Sequence, residues 1–518
     1  MIRVLVLFCS ALQAAPLQSP VNQVFQFTFS STWSPWADGA KTSAAAYLWI
    51  PEKCKRLRGL LIMGSNVPEH MLVGHRAIRE VCAKNDLGIV WSTPTFLYYK
   101  AKNEDKTIVA FLQQLLDGLA RTSGYAEVAI VPWLPMGESG HLLMVDALVE
   151  AAPERCIAGI WIKNAHLPPK NRTVPALVVF GTAQEWGQDK VDIRTRWNTF
   201  SAYENVQKQR KQNPDWPLSL LIDGGSGHFD CAEWLVQYFA RYIDQVVKAR
   251  VAKSGLRPVD MKKGVVADLP VPGHEKGKTA PWYFDKASAR QAQSIARINW
   301  KAESQLPAFA DSSGAIAAFD FNGISSITPQ MEEDGISFRM QAVMLDKIPG
   351  NFSNAGEPLA TATGNPLIEW LCGPLAPLGD GRFRVALDRT YPHHPIYLAA
   401  RQVGTDKIRE AVQPLAIKLK RNEEGKQQTI RFEKISDVKV GSAPVKLNAT
   451  SDSGLPVGYF VLAGPAIVED GTLYFTGIPP RAKYPVEVTV AAWQWGRSAE
   501  PKVKTAQIVK QSFQIHRQ

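Results

Sequence analysis

Between residues 24 and about 250 the chain alternates between two hydrophobic patterns. The runs LRGLLIMG (57–64), LGIVWST (87–93), AEVAIVPWL (126–134), CIAGIWIKN (156–164), VPALVVFG (174–181) and PLSLLID (217–223) are apolar almost throughout. Strands of this kind are buried on both faces. Between them, apolar residues recur three and four positions apart. Ile108, Phe111, Leu112, Leu115, Leu116 and Leu119 mark one helix; Leu235, Tyr238, Phe239, Tyr242 and Val246 mark another. Met71, Ile78, Val81 and Cys82 read as one side of a third. Such spacing lines one face of a helix. VFQFTFS (24–30) and AAAYLWI (44–50) read as an opening antiparallel pair. Buried strands alternating with crossover helices predict an α/β domain over 20–250, its mostly parallel sheet flanked by helices.

The pattern breaks over 251–300, where LPVPGHEKGKTAPW is rich in Pro, Gly and Lys. That composition predicts a linker or wrapping segment. Beyond 300 the runs ISFRMQAVML, RFRVALD, IYLAARQ, LYFTGI and VEVTVAAW are short and separated by turn residues. Regular short strands predict β-sandwich modules. The polar stretch LKRNEEGKQQ suggests a division near 415, giving a β-rich domain (301–415) and a second sandwich (416–518). A length of 518 residues agrees, since ~150 residues per domain suggests about three domains.

The first residues, MIRVLVLFCSALQAA, place a basic start before a short apolar core and small residues. This is the layout of a signal peptide over 1–15, cleaved near Ala14 or Ala15, and it predicts a secreted, periplasmic or cell-surface protein. No later run approaches the ~20 apolar residues that a membrane span needs. The formal net charge of +11 is dispersed, with modest clusters at 53–58, 208–211 and 418–421. Nucleic-acid binders concentrate such charge on one element, so no nucleic-acid partner is expected. Attraction to an acidic polysaccharide is the sharper reading of the charge. Of six cysteines, Cys9 lies in the leader; the other five form no CxxC pair and no Cys/His metal spacing. Neither a disulfide scaffold nor a metal site is expected. No Walker or dinucleotide glycine pattern occurs, so no cofactor is expected either.

Chemistry enters at PMGESGH (135–141), where Ser139 lies between Gly137 and Gly140. An apolar run precedes it, and Leu142, Val145 and Val149 continue at helical spacing. A strand that turns sharply on a serine and starts a helix is a nucleophile elbow. Gly137 and Gly140 relieve Cβ crowding at the turn. The helix start behind the serine directs amides at developing negative charge. His141 occupies the position that usually completes GxSxG. A serine hydroxyl needs a base; His228, in LLIDGGSGHFDCAEW after the last strand, stands in the required order. A carboxylate should orient that imidazole. In FGTAQEWGQDK, Gln184 holds the common acid position, so Glu185 is the first choice, with Asp189 and Asp192 as alternatives. The oxyanion hole should combine the amide of Gly140 with that of Ser65 or Asn66, after LRGLLIMG.

GESGH, FGTAQEW and GGSGHFD, in that order, resemble the α/β-hydrolase family over about 24–250. The nearest type is the secreted bacterial hydrolase that carries β-sandwich modules behind its catalytic domain. The resemblance implies hydrolysis of an ester, amide or related bond through an acyl-serine. It makes Ser139 the nucleophile, His228 the base and then acid, and Glu185 the orienting carboxylate. A second resemblance, over about 430–516, is to bacterial immunoglobulin-like modules, carried by SGLPV, GPA, TLYFTGI and AAWQWG. It implies a spacer or an attachment unit for a cell surface or polysaccharide. Trp133, Trp161, Trp186, Trp197, Tyr98 and Tyr99 fall near presumed strand ends, where aromatics pack the core and rim or stack on sugar rings. The expectation is a secreted serine esterase acting on a small-molecule or polysaccharide ester, with acyl and aryl esters foremost. A serine peptidase with the same triad and an inactive surface adhesin are the alternatives.

Overall fold

The computed structural model of the chain describes residues 24–33, 42–94, 105–163, 171–181, 199–224, 227–229, 231–251, 264–267, 281–298, 303–311, 313–320, 323–350, 352, 354–362, 364–391 and 396–518. Among the described residues, eight strands form one sheet. They are β1 (Phe27–Trp33), β2 (Thr42–Trp49), β3 (Gly59–Met63), β4 (Leu87–Thr93), β5 (Trp133–Glu138), β6 (Gly159–Ile162), β7 (Ala176–Gly181) and β8 (Leu218–Asp223). Their order is β1-β2-β4-β3-β5-β6-β7-β8. β1, β2 and β4 pair antiparallel, and every pairing from β4 to β3 onward is parallel. Every residue of β3 through β8 is buried, which is why those runs carry no alternating polar face.

The helices are α1 (Val67–Val73), α2 (Arg76–Lys84), α3 (Asp105–Ser123), α4 (Leu142–Ala151), α5 (Thr199–Gln212) and α6 (Glu233–Arg250). On α3, Leu112, Leu115, Leu116 and Leu119 are fully buried, each such side chain contributing roughly 1.5–3 kcal/mol. None of the described helices is long and apolar enough to cross a membrane. Cys54, Cys82, Cys156, Cys231 and Cys372 are all buried.

Three expectations change. The run 126–134 is not one strand: Ala126–Ala129 is a 3-10 turn, and β5 starts at Trp133 and continues through Glu138. Val128 and Val131 are buried all the same; a continuous apolar run reports burial and leaves backbone conformation open. The helix expected to hold Met71 through Cys82 is two helices, broken at Gly74, with His75 Nδ1 capping α2 by accepting from Ala77 N at 3.2 Å. The segment 251–300 does more than link. It adds a short antiparallel pair, β9 (Val265–Val266) with β10 (Trp282–Tyr283), and the helix α7 (Lys286–Ala296). Asp285 caps α7 by accepting from Ser288 N at 2.6 Å, and Ala289, Ala292, Ile295 and Ala296 are buried in the main hydrophobic core. Tyr283 Oη donates to Leu220 O at 2.8 Å, tying this cover to β8. A helix that buries mostly alanines leaves a faint hydrophobic pattern, which hid it.

Beyond 300, among the described residues, the strands Ser325–Ile327, Ala411–Ile417, Ile396–Gln402 and Leu367–Cys372 form one sheet, and Ser337–Arg339, Arg382–Val385 and Leu375–Gly379 form another. Phe338, Phe383, Leu398 and Leu415 fill the space they share. Ala411–Ile417 runs through the division expected near 415. The last module stacks a sheet holding Val486–Trp493 and Val509–His516 over one holding Thr472–Phe475. It is docked on the first domain: Arg481 Nη1 donates to Glu127 Oε1 at 2.9 Å, and Lys483 N to Ser123 O at 2.9 Å.

Candidate active site

β5 ends at Glu138 and α4 begins at Leu142, so the chain reverses within Ser139–His141. Ser139 takes up that turn with φ +51°. A left-handed backbone costs a residue with a Cβ roughly 1–2 kcal/mol; here it lifts Ser139 off the sheet edge. A Cβ on Gly137 would stand 2.6 Å from His141 O and 2.9 Å from the carbonyl carbon. Glycine at 137 is therefore a packing requirement of the turn. His141 fits because its backbone makes that close approach while its Nδ1 reaches Glu69 Oε2 at 2.6 Å.

Across the sheet edge, His228 Nε2 lies 3.0 Å from Ser139 Oγ, joining residues 89 positions apart. His228 is only 4% exposed. Its loop is held by Lys163, whose Nζ donates to Gly227 O and lies 3.4 Å from Asp223 Oδ2. Lys163 follows β6 with φ +53°. Asp223 ends β8, and its Oδ1 accepts from Trp234 Nε1 at 3.0 Å. Lys163 and Asp223 are both fully buried.

A buried carboxylate completes the cluster. Glu138 Oε1 is 3.2 Å from His228 Nε2, and Glu138 Oε2 accepts from Asn66 Nδ2. Asn66 Nδ2 also donates to Glu138 O at 3.2 Å. Glu69, on α1, braces the elbow from below. Its Oε1 accepts from Glu138 N at 2.9 Å, while its Oε2 accepts from Asn66 N at 3.2 Å and meets His141. One fully buried carboxylate thus joins the α1 capping box, the end of β5 and the elbow.

A serine on a left-handed turn between a buried parallel strand and a helix, with a histidine brought to it from the loop after the last strand, decides the architecture. The fold is that of the α/β-hydrolases. No family model matches the chain, and no curated protein matches it. Among solved structures it is similar to poly(aspartic acid) hydrolase-1 from Sphingomonas sp. KT-1, at 11% identity over 42% of this chain and 99% of that one, with a TM-score of 0.29. It is similar also to LpqC, a poly(3-hydroxybutyrate) depolymerase from Bordetella parapertussis, at 13% identity over 44% and 92%, TM-score 0.30. A third is FphF, a fluorophosphonate-binding serine hydrolase of Staphylococcus aureus, at 11% identity over 43% and 98%, TM-score 0.27.

Of the residues singled out in the sequence, Ser139, His228, Gly137 and Gly140 meet at this α/β-hydrolase elbow. Ser65 follows β3 and is buried. Asn66 has another task there: its amide is engaged by Glu69 and its side chain by Glu138. Glu185, Asp189, Asp192 and Gln184 lie outside the described residues, as do Tyr98, Tyr99, Trp186 and Trp197. Trp133 and Trp161 are core residues: Arg155 covers the Trp133 ring at 3.9 Å, and Trp161 Nε1 donates to Asp146 Oδ1 at 2.8 Å.

Sequence reasoning missed Glu69, Glu138, Lys163 and Asp223. Signals were present. Asn66 followed three residues later by Glu69 is a capping-box spacing, and Glu138, Lys163 and Asp223 each put a charge at the end of an otherwise apolar run.

Proposed function

We propose that the chain is a secreted serine hydrolase, an esterase that works through an acyl-serine. The observation that carries this reading is the 3.0 Å contact between His228 Nε2 and Ser139 Oγ on the strained elbow. In the proposed first step Nε2 takes the hydroxyl proton as Oγ attacks the substrate carbonyl. The amides of Gly140 and Ser65 receive the developing oxyanion. The Glu138 carboxylate, with Oε1 3.2 Å from Nε2, lies where the positive charge develops on the ring. Glu185 is the proposed acid for orienting the imidazole, with Asp189 and Asp192 behind it. His228 then protonates the leaving alcohol, and water activated by the same imidazole releases the acid.

The proposed substrate is an acyl or aryl ester, small or carried on a polysaccharide. Its support is the dispersed positive charge together with the resemblance of the C-terminal module to immunoglobulin-like units that attach to a surface or polymer. Fluorophosphonate labelling tests the core of the reading. Wild type is expected to take one label and Ser139→Ala none; an unlabelled wild type would mean an inactive adhesion protein. Turnover of p-nitrophenyl esters in preference to aminoacyl arylamides is expected, and the reverse preference would make it a peptidase. Glu185→Gln should slow labelling more than Asp189→Asn or Asp192→Asn.

A further inference from the structure

The central β-domain has strands with no solvent face. Along Ile396–Gln402, Ile396, Leu398 and Ala400 point into the sandwich interior, while Tyr397 and Ala399 join a different cluster. That second cluster contains Val412, Leu371 and Cys372 of the same sheet, and Val67, Met71 and Phe229 of the catalytic domain. A module serving only as a spacer would turn a polar outer face to water. Here the apolar part of the outer face is seated on α1 and on the residue that follows His228.

The contact reaches the imidazole through rings. Phe229 stacks on Tyr397 with centroids 5.3 Å apart and planes at 18°. His228 meets Phe229 edge-on at 4.7 Å and 86°. Burial pushes the Tyr397 hydroxyl up to about 12, and the charges of Cys372, Asp320 and Glu138 push the same way. The histidine loop needs such contacts. Gly227 and Phe229 flank His228, and each is held from outside the loop. Lys163 holds the loop on the Gly227 side, and the Phe229–Tyr397 stack holds it on the other.

We propose that the central β-domain is a working part of the active site, with Tyr397 as a positioning residue that holds the His228 ring at Ser139 through Phe229. This rests on the serine-hydrolase reading above. The domain then sets how well the base is aligned, and the catalytic domain separated from it would be a poor hydrolase.

The test uses the full chain and the kinetics of fluorophosphonate inactivation, separating the limiting rate from the probe's affinity. Tyr397→Phe keeps the ring and should label as wild type does. Tyr397→Leu and Phe229→Leu should lower the limiting rate about tenfold or more, as small misplacements of a catalytic group do, with the probe's affinity unchanged. Leu398→Ala weakens the same strand from its opposite face and should retain the wild-type rate. If Tyr397→Leu fails to fold, Phe229→Leu, on the catalytic domain, decides. A labelled wild type beside an equally labelled Tyr397→Leu or Phe229→Leu overturns the inference alone, and so does a loss in Leu398→Ala that matches theirs. A wild type that takes no label overturns the hydrolase reading and this inference with it.

Discussion

Replacing Glu69 by glutamine keeps the side chain's shape and removes one of its two acceptor oxygens. In the native site both are used: Oε1 by Glu138 N at 2.9 Å, Oε2 by Asn66 N at 3.2 Å and by His141 Nδ1 at 2.6 Å. With the amide oxygen left on the Asn66 side, the new NH2 faces Glu138 N–H. With the amide turned over, it faces Asn66 N–H. Either way a buried N–H loses its acceptor, which costs about 1–3 kcal/mol. The negative charge in the first turn of α1 is lost as well, for about another 0.3–1 kcal/mol. The sum, about 1–4 kcal/mol, falls on the residue preceding Ser139, so it should disturb the elbow as well as the fold.

Urea unfolding followed by tryptophan fluorescence reads the stability, and the rate of fluorophosphonate labelling reads the elbow. Glu69→Gln should lose about 1–4 kcal/mol and label about tenfold slower or worse. Glu69→Leu, which strips acceptors from all three donors, should be worse on both measures. His141→Ala leaves both backbone donors their acceptors on Glu69 and should be milder than either. A Glu69→Gln protein within about 0.5 kcal/mol of wild type, the size of an ordinary surface change, and labelled at the wild-type rate would refute the idea that this carboxylate holds the turn.

Ser139→Gly and Ser139→Ala should both lose labelling, yet the glycine variant should be the more stable by about 0.5–1 kcal/mol in urea. Relief of the left-handed φ, roughly 1–2 kcal/mol, exceeds the backbone entropy that glycine costs. Lys163→Met removes a buried cation from beside the buried Asp223 and should destabilise by about 3–5 kcal/mol; a double-mutant cycle with Asp223→Asn should return a coupling of at least about 0.5 kcal/mol. Burial, the largest cause, raises the Cys156 thiol to about 12 from an ordinary 9.0. A raised pKa gives stability that is complete below pH 9 and lost as pH climbs through about 12. The stability difference between wild type and Cys156→Ala should therefore shrink across that window, by up to about 1.4 kcal/mol per pH unit.

The meeting of Ser139 and His228 was legible because it is written in local order: a strand, a glycine turn, a serine, then a helix, and later a glycine loop ending in histidine. Strand and helix alternation was legible for the same reason, since burial on both faces erases polar positions locally. Glu69 and Lys163 were not, because each acts on chain far away. Glu69 binds the amide of Glu138 across 69 positions, and Lys163 binds Gly227 O across 64. A lone glutamate on a short helix looks like any surface residue until β5 is laid against it. Tyr397 was hidden in the same way. Only the docking of two domains puts an unremarkable strand residue of the sandwich against the residue after His228.

Glu69, Glu138, Lys163 and Asp223 are all fully buried around one turn and one loop. Taking such charges out of water costs several kcal/mol each, and well-packed apolar residues often serve stability as well or better. A sheet edge selected for stability alone would carry apolar residues there, as most of β3 through β8 does. The charges sit instead on the atoms that fix Ser139 and His228: the Glu138 amide, the Gly227 carbonyl and the imidazole nitrogen itself. Each holds a piece of backbone or a ring at the place where the chain turns. Close glycine packing at the elbow and costly charges beside it are therefore two halves of one arrangement. Gly137 permits the close approach of His141, where a Cβ would stand 2.6 Å from its carbonyl oxygen, and the buried ions fix the neighbouring backbone and the imidazole.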